Sequence, residues 1–77
     1  MDRQEEERGL QLADAHIAEA RSCIAQQEAR IASGRLLPAD LALAQELLET
    51  MRSTLTQFEE HRAHIARVIE AMDRGTR

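Results

Sequence analysis

A chain of 77 residues has room for one small domain, expected to span 1–77, and a core of that size seldom holds without a disulfide, a metal or a second chain. A single cysteine, Cys23, excludes an intrachain disulfide, and a net charge of −4 from 14 acidic and 10 basic residues argues against a polyanion ligand. Hydrophobic residues make up 43% and charged residues 31%, while Phe58 is the only aromatic and Val68 the only valine, so an all-α fold is expected.

The first predicted helix covers about residues 3–33. Asp2, with Glu5 three residues later, reads as a capping box in which Asp replaces the usual Ser or Thr. Leu10, Ile17, Ile24 and Ile31 then recur every seven residues. The surrounding text repeats with them: His16-Ile17-Ala18, Cys23-Ile24-Ala25, Arg30-Ile31-Ala32. Ala13, Ala20 and Gln27 follow three residues after the large ones. Such a seam pairs a branched aliphatic with a smaller residue and lets a partner helix approach closely. Leu12 and Cys23 fall beside the stripe, and Cys23 is expected to be a small, half-buried residue.

A turn is expected over about residues 34–37. Gly34 suits the left-handed conformation that ends a helix. Pro38 suits the first turn of the next helix, where its missing N–H would be unpaired anyway. Asp40 follows, well placed against the helix dipole. The second predicted helix covers about residues 38–74, with Gly75 as its stop. It carries two interleaved sevens: Leu41, Leu48, Leu55, Arg62, Ile69 and Ala44, Met51, Phe58, Ile65, Met72. Regularity over that length predicts coiled-coil packing, and a short connection folds two such helices back antiparallel. The alignment sets Ile31 near Leu41, Ile24 near Leu48, Ile17 near Leu55 and Leu10 near Arg62.

The two helices are unequal in apolar supply. The first offers a narrow stripe, whereas Leu43, Leu47 and Val68 widen the second beyond its seam. Uncovered side chains of that size represent several kcal/mol at about 25 cal/mol per Å². Self-association of two antiparallel hairpins into a four-helix bundle is therefore expected, since isologous dimers are the commonest oligomers. Another helical protein is the alternative partner. The residues expected to build core and interface are Leu10, Ile17, Ile24 and Ile31 from the first helix. The second helix contributes Leu41, Leu47, Leu48, Met51, Leu55, Phe58, Ile65 and Ile69.

Chemistry-bearing motifs are sparse. His61 and His64 lie near one helical face beside Glu60, but a metal needs further ligands in fixed geometry, so no metal or cofactor is expected. Arg62 occupies a core-type position, where its stem can pack while its head reaches water or a carboxylate of Glu6, Glu7 or Asp14. Cys23 has no neighbouring base to make it a nucleophile. No phosphate loop or triad is present, so neither catalysis nor a small-molecule substrate is expected. All ten basic residues are arginine, and several follow acids directly, as Arg8 follows Glu5-Glu6-Glu7. The row Arg35, Arg67, Arg74 and Arg77 has no aromatic stacking surface beside it. Nucleic-acid binding of the repressor-of-primer type, an analogy of fold, is the alternative function. No apolar run approaches the roughly 20 residues that span a bilayer, and the first residues do not read as a signal peptide. A cytoplasmic setting is expected.

The chain resembles small helical-hairpin proteins of α-proteobacterial, rhizobial type whose function is unknown. The resembling text is His16-Ile17-Ala18, Ile24 with Gln27, Ile31, a Gly-containing turn, Ala44, Leu47-Leu48, Phe58 and His61-Arg62. It covers roughly residues 10–70 and departs at Leu36-Leu37-Pro38, where polar residues are the rule. The resemblance implies a bacterial, cytoplasmic protein with no assigned activity, cofactor or catalytic residue. The resulting expectation is a non-enzymatic protein-interaction or self-assembly module.

Overall fold

The computed structural model describes residues 2–75 and is an all-α antiparallel hairpin. Arg77, the last of the arginine row, lies outside the described residues. Helix α1 runs Arg3–Ala32 and helix α2 runs Pro38–Gly75, packed along their lengths into a rod of 60 × 14 × 14 Å. The ends follow from local chemistry. The Asp2 carboxylate accepts from the Gln4 N–H at 3.0 Å, satisfying one of the unpaired donors of the first turn. Its bond is to Gln4, one residue short of the Glu5 amide that a capping box would use; the short Asp side chain reaches either position.

The turn is built as the glycine and proline demand. Gly34 takes φ +70, and its N–H reaches the Ile31 carbonyl at 3.4 Å. Ser33 closes α1 by donating its hydroxyl to the Arg30 carbonyl at 2.6 Å, and the same oxygen accepts from the Arg35 N–H at 3.3 Å. Pro38 opens α2, and the Leu41 N–H bonds the Leu37 carbonyl at 2.8 Å. A Cβ at position 34 would have open space, so the cost of Gly34→Ala is conformational alone. That variant is expected to lose about 1 kcal/mol, the left-handed penalty for an L-residue, and to melt about 4–8 °C lower in a calorimetric scan. An unchanged midpoint would mean that the turn does not need this conformation.

The core is a thin line between the helices: Ala13, Ile17 and Ile24 from α1 against Ala44, Leu48 and Ile65 from α2. Leu10, Ile31, Leu41, Met51, Leu55, Phe58 and Ile69 are half-buried around that line. Alanine on both sides keeps the helices close. At Gly9 a Cβ would stand 3.7 Å from the Ile65 side chain, an ordinary contact that an alanine could make. Gln27 is buried among these residues at 8% exposure and donates its amide to the Ala44 carbonyl at 2.9 Å. A buried polar group must be hydrogen-bonded, so this contact also pins the register. His16 lies 5.6 Å from Phe58, ring centre to ring centre. These pairs set the register close to the alignment of Ile17 with Leu55 and Ile24 with Leu48.

Candidate functional site

The two long edges of the hairpin, one on each side of the seam, differ in kind. On one flank Asp14, Arg21 and Glu28 of α1 recur every seven residues, and Arg52, Glu59 and Asp73 of α2 keep the same phase. They interlock with two seam arginines. Arg21 meets Glu59 at 3.1 Å, Arg52 meets Glu28 at 3.0 Å, and Arg62 meets Asp14 at 2.5 Å. Arg3 reaches Asp73 and also bonds Glu7 at 2.9 Å. Exposed pairs are worth only about 0.2–1 kcal/mol each, so their main consequence is directional. They spread charge along one edge and make it a poor surface for another apolar helix. The Arg62 head thus reaches out of the seam to Asp14, one of its three expected carboxylates.

The opposite flank carries no interhelical ion pair among the described residues. Its α1 positions are Gly9, His16, Cys23 and Arg30, with Leu12 and Glu19 just outside them. Its α2 positions are Asp40, Leu47, Thr54, His61 and Val68, with Leu43, Thr50 and His64 just outside. Leu12 is 58% exposed, Leu43 64% and Leu47 50%, which places most of the chain's large exposed apolar residues here; the other, Leu37 at 70%, stands in the turn.

A groove of about 410 Å³ runs along this flank between His16, Glu19, Ala20 and Cys23 of α1 and Thr50, Met51, Thr54 and Phe58 of α2. It exists because Ala20, Thr50 and Thr54 are short where Phe58 and Met51 are long. A smaller hollow, about 160 Å³, continues it toward the turn between Gln27, Arg30, Asp40, Leu43, Ala44 and Leu47.

Several sequence expectations meet on this flank. Leu47, expected in core or interface, stands outside the hairpin's own core. Cys23 corrects the half-buried expectation: its side chain is exposed on the groove wall, because α2 alone is too narrow to cover the edge beside the α1 stripe. His16, His61 and His64 share the flank, but among the described residues no group of three His, Cys, Asp or Glu is placed to hold a metal ion. Apolar sevens point to the Arg62–Asp14 rung of the ion-pair ladder and not to the others. Their signal was present in the charged sevens Asp14-Arg21-Glu28 and Arg52-Glu59.

Among the described residues no helix is long and apolar enough to cross a membrane. The hairpin with one charged and one apolar edge defines a structural class rather than an activity. The chain matches no known protein family, no curated protein and no solved structure.

Proposed function

We propose that this protein is a non-enzymatic assembly module that joins helices through its apolar flank, with a second copy as its partner. The four-helix bundle is then the working form. The observation that carries this reading is the gathering of the interhelical ion pairs on one edge and of Leu12, Leu43, Leu47 and an apolar groove on the other. Exposed apolar surface gathered on one side is what marks an interaction site, whereas scattered leucines would mean little.

The area of the chain supports the same reading. Its accessible surface is 5816 Å². A compact monomer of 8.7 kDa exposes about 4,700 Å² by the usual scaling. The excess of roughly 1,100 Å² is the surface that a thin rod leaves open, and it is more than the about 800 Å² that one partner contributes to a standard interface. The arginine distribution weighs against the nucleic-acid alternative. Arg3, Arg21, Arg52, Arg62 and Arg74, half of the ten arginines, are each held against a carboxylate, and the chain's net charge is −4, both of which weigh against a phosphate backbone as ligand. A bacterial cytoplasm is the setting we propose, in keeping with the free thiol and the resemblance noted above.

Sedimentation equilibrium of the full chain over a wide concentration range tests the reading. A reversible monomer–dimer transition in the micromolar range or tighter is expected. A monomer at every concentration would sink self-assembly.

A further inference from the structure

We infer that two copies meet apolar flank to apolar flank, with their turns at opposite ends and a two-fold axis beside Cys23 and Thr50. This arrangement rests on the self-assembly reading above and specifies its geometry. An isologous contact requires that each copy present both a protrusion and the recess that receives it. The flank has both, the recess being the larger of its two hollows. Leu43 and Leu47 form the protrusion, and the hollow bounded by Ala20, Met51, Thr54 and Phe58 is the recess. Along α2 the centres of the two are separated by about eight residues, or about 12 Å at 1.5 Å per residue. A two-fold axis perpendicular to the rod and midway between them sets each leucine pair over the partner's recess. If instead the turns lay at the same end, recess would face recess and both would stay empty, at the cost of the lost packing.

The axis position comes from shape alone, and two further features then fall into place. On α1 it lies near residue 24, so Glu19 and Arg30 are about equally far from it on opposite sides. Glu19 of each copy is thereby brought to the level of the partner's Arg30, with the reverse pair on the other side of the axis. Neither side chain has an ion pair within its own hairpin among the described residues. Leu12, about 18 Å from the axis, arrives at the partner's turn, where Leu37 stands 70% exposed. The apolar side chains left uncovered in the single hairpin thus all find cover in the pair.

Cross-linking decides the geometry. In a Cys23→Ser background, chains carrying Leu12→Cys and Leu37→Cys are mixed dilute, concentrated and treated with a short bismaleimide. Both substituted sites are exposed, so the fold is not at stake. The mixture is expected to give covalent dimer many-fold above either chain alone, because like positions lie about 36 Å apart in the pair. As a second readout, Glu19→Arg and Arg30→Glu should each weaken association about tenfold, and the double swap should restore it. Efficient linking of Leu37→Cys chains to themselves would overturn the arrangement in favour of turns together. A dimer by sedimentation that gives neither the mixed link nor charge-swap rescue would overturn the arrangement and leave self-assembly standing. A monomer throughout would overturn both.

Discussion

Leu48→Ala is expected to destabilise the hairpin by about 2–5 kcal/mol, while Leu47→Ala, one residue away, changes the dilute monomer by no more than about 0.5 kcal/mol. The two side chains are identical and share the same helix. What separates them is the seam: Leu48 is 8% exposed against α1, and Leu47 is 50% exposed on the open flank. Removing Leu48 leaves a cavity in a core only a few side chains deep. Because a domain of this size holds about 3–5 kcal/mol at best, the loss consumes most of the margin. Far-UV circular dichroism in urea should show Leu48→Ala largely unfolded at a concentration where the parent chain is folded. Leu47→Ala should instead lower the melting temperature only where the parent is associated, so that its deficit grows with protein concentration. Equal effects of the two variants at high dilution would contradict the division between hairpin core and outer flank.

The hairpin was legible in the sequence because its determinants are local and periodic. Gly34 and Pro38 each admit few backbone conformations and mark the turn. The sevens through Ile17 and Ile24, and through Leu48 and Ile65, mark the seam, and those four residues are buried. The excess apolar width of α2 was equally readable in Leu43 and Leu47. What periodicity could not give was the side of the seam on which each flanking residue falls relative to the other helix. That depends on the antiparallel register, which brings Arg21 to Glu59 and Arg52 to Glu28 across long stretches of chain. Gln27 was read only as a seam position. Its buried amide bond to the Ala44 carbonyl is a tertiary fact, invisible until α2 is placed. The exposure of Cys23 follows likewise from what does not cover it, and a single helix pattern carries no such information.

The second large effect is expected from Leu47→Glu, which should weaken self-association at least about 100-fold while leaving the hairpin folded. Glutamate is a good helix former, and the site is half exposed, so the monomer has little to lose. In the pair the carboxylate would be pressed toward the partner's Met51, where nothing cationic waits to receive it. Each copy carries the substitution, so the symmetric contact is damaged twice. Half of each leucine is left to bury, so the lost apolar burial is about 0.8–1.5 kcal/mol per copy, and the cost of desolvating two carboxylates carries the total past the 2.8 kcal/mol that a 100-fold change requires. Ala25→Glu supplies the control, since Ala25 is exposed on the side of α1 toward the ion-pair ladder and tolerates charge there. Sedimentation should find the Leu47→Glu chain monomeric where both the parent and Ala25→Glu are dimeric. If the two glutamates weaken assembly alike, net charge and not the apolar flank governs association; if neither does, the contact lies elsewhere on the rod.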